Sequence, residues 1–163
     1  MIKMLRIDDR LIHGQVAVVW SKNLNVSRIV VISNSISENE IQKAALKMAA
    51  PDNIRAFILP VEKALKLLND PRSKNLSIMV VMNDPEEVEQ VLEGLNPEAK
   101  PEMMDLANYG RIAGDIEKKN KISDTVYLTD AEKQIFKDLS NKNFKFIHQP
   151  LPSDAVKKLD DLL

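Results

Sequence analysis

The chain is predicted to form one α/β domain over residues 1–163: an open, mostly parallel sheet of about seven strands, with helices on both faces. Three observations predict it. Arg28–Ser33 (Arg-Ile-Val-Val-Ile-Ser) and Ser77–Met82 (Ser-Ile-Met-Val-Val-Met) are continuous apolar runs, the pattern of strands buried on both faces. Such runs alternate with helical segments, which implies βαβ units with right-handed crossovers. The 163 residues, 44% hydrophobic and 29% charged, suffice for one sound core, and no repeat, low-complexity tract or linker divides them.

Each element follows from local pattern. Met1–Asp8 is strand one, and Gln15–Asn23 is a helix with Val16, Val19 and Trp20 at helical spacing. After the Arg28–Ser33 strand, Ser37-Glu38-Asn39-Glu40 has the form of a capping box. It is expected to open a helix through Met48 and Ala50 that Pro51 stops. Ile54–Leu59 is strand three and Val61–Asn69 a short helix. Ser77–Met82 is strand four. Pro85–Leu92 begins with proline and acids, as helix N-termini prefer. Met103–Ala107 is a fifth strand and Ser123–Leu128 a shorter, partly polar one. Thr129-Asp130-Ala131-Glu132 is a second capping box, opening a helix to Ser140. Phe144–Gln149 is a last strand and Ser153–Leu162 a last helix. Asn96–Lys121 is the least regular stretch.

Composition removes several function classes. A formal net charge of −1 leaves no large electrostatic footprint for nucleic acid. The absence of cysteine removes disulfides, thiolate nucleophiles and cysteine-ligated zinc. No apolar run approaches the ~20 residues of a membrane span, and the N-terminus lacks a signal-peptide pattern, so a cytoplasmic location is expected. Two histidines far apart, with no acidic cluster at ligand spacing, predict no metal site. No Gly-x-Gly-x-x-Gly or Walker sequence occurs, and no cofactor is expected.

The most informative stretch is Arg6-Ile7-Asp8-Asp9-Arg10-Leu11-Ile12-His13-Gly14-Gln15. It follows strand one, where a doubly wound fold gathers its ligands. Imidazole is a nucleophile that stays uncharged and basic near neutral pH. Arg10 offers a planar fork of donors for phosphoryl oxygens. The backbone of Gly14 and Gln15, at a helix start, offers free N–H groups. Residue types alone leave the bland reading open: His13 as an ordinary surface histidine, Asp8 and Asp9 as an N-cap and a surface charge, Arg10 as a salt-bridge partner. His148 is expected to be structural or exposed, Trp20 to be core, and Lys118, Lys119 and Lys121 to form a solvated loop. Asn83-Asp84-Pro85 and Ser33-Asn34-Ser35 fall at strand ends, as crevice residues or as helix caps. A phospho-aspartate receiver is set aside, because Leu59-Pro60 stands where strand three would need to end in aspartate.

Asp8-Asp9-Arg10-Leu11-Ile12-His13-Gly14-Gln15-Val16 resembles the signature of the enzyme IIB components of the mannose/fructose/sorbose class of the bacterial sugar phosphotransferase system. Trp20, Arg28–Ile32, Lys47-Met48-Ala49-Ala50-Pro51, Asn83-Asp84-Pro85-Glu86, Asn108-Tyr109-Gly110-Arg111 and Val126-Tyr127-Leu128-Thr129 fit the family in the same order. The resemblance implies a single IIB domain and a transferase: a phosphohistidine carrier in sugar uptake. His13 matches the phosphorylated histidine, modified on Nδ1. It would receive phosphate from the IIA component and pass it to a sugar held by the membrane components IIC and IID. The protein would then meet the membrane transiently, through those partners. Arg10 matches the arginine that steadies the phosphoryl oxygens, and Asp9 is assigned an orienting role toward Arg10 or the imidazole. The sequence departs from the family in Ile112-Ala113-Gly114-Asp115, where a Gly-Arg-Lys-like stretch is usual, and in Ser33-Asn34-Ser35, where acids are usual. The alternative is a non-catalytic IIB-like regulatory or sensing module on the same scaffold.

Overall fold

A computed structural model describes residues 1–163. Its main sheet has seven strands: β1 (Ile2–Asp8), β2 (Arg28–Ile32), β3 (Arg55–Leu59), β4 (Ile78–Met82), β5 (Met104–Asn108), β8 (Ile147–His148) and β9 (Lys157–Lys158). They lie in the order β3-β2-β4-β1-β5-β8-β9. All pairings are parallel except β8 with β9. The helices are α1 (Gly14–Leu24), α2 (Asn34–Ser37), α3 (Glu40–Ala49), α4 (Val61–Asn69), α5 (Pro85–Gly94) and α6 (Asp130–Asn141). No helix is long and apolar enough to cross a membrane.

Two apolar clusters sandwich the sheet. Residues that alternate along each strand divide between them, because successive side chains point to opposite faces. Leu5, Ile7, Val30, Ile32, Val80 and Met82 pack with α4, α5 and α6. Met4, Ile29, Val31, Met79 and Val81 pack with Ala17 and Trp20 of α1, and Leu46 of α3 flanks them. By the same alternation Arg6 and Asp8 project toward the α1 face, into the second cluster. This explains the continuous apolar runs: both faces of the central strands are dry.

The strand count agrees with expectation, but the membership differs. The strand expected over Ser123–Leu128 shortens to Val126–Leu128 and lies outside the main sheet. Its region forms a separate antiparallel hairpin, β6 (Asn120–Ser123) with β7 (Val126–Leu128). The hairpin is tied to β5 through Tyr109, whose N–H donates to Thr125 O at 2.9 Å and whose O accepts from Tyr127 N at 2.8 Å. Gly110 makes that join possible. Its φ is +88°, and a Cβ there would lie 1.9 Å from Tyr127 O. The last strand shortens to Ile147–His148, and the expected helix over Ser153–Leu162 is absent. Lys157–Lys158 instead forms the edge strand β9, followed by a 3₁₀ turn at Leu159–Asp161. Leu159, 2% exposed, is the apolar anchor that draws the tail down onto the core.

Caps explain the other boundary differences. Thr129 and Glu132 form the expected capping box at α6. Ser37 does not cap α3. It ends the one-turn helix α2, which Ser33 caps, and Asn39 takes over as the N-cap of α3 by accepting from Gln42 N at 3.0 Å.

The sheet order also fixes where a site belongs. β1 is the central strand; it leads on to β2 on one side, while its neighbour β4 leads on to β5 on the other. The loops leaving β1 and β4 therefore diverge, and the crevice between them is the switch point of the sheet.

The caps can be checked by urea unfolding. Thr129→Ala and Asn39→Ala should each lower stability by about 1 kcal/mol. Ser37→Ala should cost clearly less, because no helix N-terminus depends on it.

Candidate active site

The β1–α1 loop is built by its own aspartate. Asp8, fully buried, ends β1, and its backbone O accepts from Leu11 N at 3.0 Å to close a turn. Its Oδ1 accepts from Arg10 N at 3.0 Å. Leu11 then adopts a left-handed φ of +57°, a conformation that costs a residue with a Cβ about 1 kcal/mol or more. Burial of Leu11 and Ile12 in the α1-side cluster offsets this. The loop is thus anchored by two apolar side chains, which leaves Arg10 exposed and His13 partly exposed.

His13 is the N-cap residue of α1, but its side chain caps nothing. Its Nε2 instead lies 3.1 Å from Asp8 Oδ2, with 19% of the side chain exposed. A carboxylate at that position holds a proton on Nε2 and leaves the Nδ1 lone pair free. Gly14 has φ +45° and open space where a Cβ would be. The N–H groups of Gly14, Gln15 and Val16 have no acceptor in the chain, and the first helical bond, Ala17 N to His13 O, is long at 3.5 Å. The guanidinium of Arg10 is paired with no carboxylate. The loop therefore presents an unpaired cation, three free amides and an imidazole with one open nitrogen.

Behind this loop lies a buried polar chain. Arg6 donates from Nη2 to Asp8 Oδ2 at 3.1 Å and from Nη1 to Asp105 Oδ2 at 3.2 Å. Arg6 and Asp105 are register partners on β1 and β5. Asp105 Oδ1 accepts from Gln149 N at 2.9 Å. Burial pushes the Asp105 carboxyl up to about 7, against the pull of the Arg6 guanidinium and the Gln149 N–H. The guanidinium lies 5.8 Å from the centre of the Trp20 ring, whose Nε1 donates to Pro150 O at 2.9 Å. Trp20 is core, as expected, and also one wall of this chain.

Asp9 has a different job from the one assigned to it. It makes no ion pair with Arg10 and no bond to His13; its Oδ2 accepts from Gly110 N at 2.7 Å. With Asp9 N donating to Asn108 O at 2.9 Å, it staples the β1 loop to the end of β5. Burial raises its carboxyl above the usual range, opposed by the Gly110 and Arg111 N–H groups. The physical reason is direction: Asp8 points inward to the imidazole, so the next residue must point to the opposite side. The orienting contact belongs to Asp8.

Other expectations divide. Ser33, Ser35, Asn83, Asp84 and Pro85 do meet, with Glu87 and Tyr109, in an open cleft of about 520 Å³ at the carboxyl edge of the sheet. Ser33 and Asp84 are also helix caps, so both readings hold at once. Asn34 turns away to accept from Val61 N at 2.8 Å. His148 is buried, with Nδ1 2.7 Å from Leu106 O. Lys119 is not merely solvated: its Nζ donates to Gly110 O at 2.8 Å and closes the loop after β5. A second hollow, about 370 Å³, opens at the opposite sheet edge beside Met1 and Ile78, away from this loop.

Sequence reasoning missed Arg6 and Asp105. The available signal was charge inside strands that are otherwise apolar. Such charges must be paired when both faces are dry.

Comparison with known proteins places the chain in a family. A family model described as the PTS system sorbose subfamily IIB component matches residues 2–163. A probable phosphotransferase enzyme IIB component of Streptococcus pyogenes serotype M6 is 36% identical, over 100% of this chain and 99% of that protein. The PTS system sorbose-specific EIIB component of Lacticaseibacillus casei is 32% identical, over 99% and 96%. The mannose-specific EIIAB component of Escherichia coli K12 is 30% identical over 99% of this chain, which spans 48% of that longer protein. Among solved structures, the IIBSor domain of the sorbose permease from Klebsiella pneumoniae superposes with a TM-score of 0.85 at 26% identity, covering 99% of this chain and 95% of that one. With its seven-stranded α/β sheet and a match along essentially its whole length, the chain belongs to the sorbose-type IIB components of the sugar phosphotransferase system.

Proposed function

We propose that this IIB component carries phosphate on His13 Nδ1 between a IIA donor and a sugar. The single observation that carries the reading is the 3.1 Å contact between Asp8 Oδ2 and His13 Nε2. It commits the proton to one ring nitrogen and leaves the other as a nucleophile at the protein surface. In the first step, the Nδ1 lone pair attacks phosphorus on the donor's phosphohistidine. The new N–P bond forms as the donor's N–P bond breaks, and that electron pair returns to the donor imidazole. In the second step, a sugar hydroxyl attacks phosphorus, and the electron pair of the His13 N–P bond returns to Nδ1. The hydroxyl proton leaves to solvent or to a base on the sugar side.

The protein's contribution is electrostatic. The Arg10 fork and the free amides of Gly14 and Gln15 face the phosphoryl oxygens, and the α1 dipole adds about 0.3–1 kcal/mol for an anion. The ring gains positive charge as the N–P bond forms, and the Asp8 carboxylate is already in place to stabilise it. Asp9 keeps the loop stapled to Gly110. No metal or cofactor enters this scheme. Membership of the family supports a IIA donor and IIC/IID acceptors, and the EIIAB designation of the E. coli relative, half of which this chain matches, supports the IIA link. The protein would work in the cytoplasm and reach the membrane through those partners.

Incubation with phosphorylated IIA and ³²P should place an acid-labile, alkali-stable label on the chain. His13→Ala should abolish it; normal labelling of that variant would refute the assignment. Arg10→Lys should slow transfer roughly ten- to hundredfold, because a point charge cannot replace a fork. Asp8→Asn should slow it on the order of a hundredfold or more, because the amide no longer holds the proton on Nε2. Rapid-quench kinetics of the labelling reaction would read both.

A further inference from the structure

We infer that Asp105 is a positioning residue for phosphoryl acceptance, acting on His13 through Arg6 and Asp8; this rests on the reading that His13 Nδ1 is the acceptor. The geometry begins with a shared atom. Asp8 Oδ2 lies 3.1 Å from both Arg6 Nη2 and His13 Nε2. Guanidinium and imidazole therefore share one carboxylate oxygen, which has a lone pair for each. How evenly they share it depends on what else holds the guanidinium.

Asp105 holds it. As the register partner of Arg6 on β5, it faces the same side of the sheet and engages Nη1 at 3.2 Å. Asp105 is itself fixed, since its Oδ1 accepts from Gln149 N. Trp20 closes the guanidinium face, and the next residue after Gln149, Pro150, accepts from Trp20 Nε1. Arg6 Nε has no partner. The guanidinium is thus placed by two carboxylates and one ring, not by a full set of hydrogen bonds.

Charge counting gives the consequence. One guanidinium lies between two carboxylates, all three buried. With Asp105 satisfying one arm, Arg6 does not neutralise Asp8 completely, and Asp8 retains charge for the imidazole. Without Asp105, the only buried anion left to Arg6 is Asp8, and the guanidinium draws Oδ2 away from Nε2. The Nε2–H form of His13 then loses its support, and the open Nδ1 with it. Asp105 touches neither phosphate nor imidazole; its effect is transmitted.

The test is Asp105→Asn in the full chain at about pH 8, where the Asp105 carboxyl of the unsubstituted protein, pushed up to about 7, is ionised. ¹⁵N spectra of the histidine ring report the tautomer, amide spectra report the fold, and rapid-quench labelling by phosphorylated IIA reports the rate. The folded variant should lose a measurable fraction of the Nε2–H tautomer and accept phosphate roughly ten- to hundredfold more slowly. KM for the phosphorylated donor should stay unchanged, because the docking surface is untouched. A folded variant with wild-type tautomer and rate overturns the inference. If Asp105→Asn does not fold, Asp105→Ser removes the same charge with a smaller side chain. It should shift the tautomer in the same direction, and an unshifted tautomer in the folded variant overturns the inference. Label mapped to a residue other than His13 in the unsubstituted protein would sink the acceptor reading instead, while the ring spectra would still judge the link from Asp105 to Asp8.

Discussion

Three charges on the α1 face of β1 and β5 must compensate one another in a place water does not reach. Arg6 is 3% exposed, and Asp8 and Asp105 are not exposed at all. Transferring each ion from water costs several kcal/mol, and mutual attraction repays that cost only in good geometry. Apolar residues of the same volume would stabilise such a face at least as well. The cluster is therefore a poor device for stability and a good one for fixing an imidazole. It also ties register to chemistry. A one-residue slip of β5 against β1 would turn Asp105 to the opposite face and leave Arg6 with a single anion.

The fold was legible in the sequence where one physical signal dominated. Continuous apolar runs marked β2 and β4, and the Thr129–Glu132 box marked α6. Misreadings arose where two signals competed. Ser37 and Glu40 satisfy the spacing of a capping box, but Asn39 stands nearer the first periodic residue and wins the N-cap. Asn120–Leu128 carries the polar run Ser123-Asp124-Thr125 in its middle, which suits a turn between two short strands better than one buried strand. At Ser153–Leu162, the helical pattern was real in composition but was overridden by the pairing of Lys157 with His148 and the burial of Leu159.

The same division holds at the site. Arg10, His13 and Gly14 lie within a few residues of one another, so their proximity could be read directly. The roles of Asp8 and Asp9 could not, because a turn decides which carboxylate faces inward. Arg6 and Asp105 are 99 positions apart, and only strand order brings them into register. Local motifs announce the groups that meet a substrate. The groups that orient them are set by topology, which a single sequence carries only as unexplained charge in an apolar strand.

The chain has one tryptophan, and it is Trp20, 1% exposed with the Arg6 guanidinium against its ring. The protein's only indole thus sits three contacts from the imidazole, through Arg6 and Asp8. Its emission is sensitive to nearby charge, so phosphate on His13, as proposed, would alter the field at the one strong chromophore. The fold thus sets a native optical probe into the wall of the proposed site, one that needs no label.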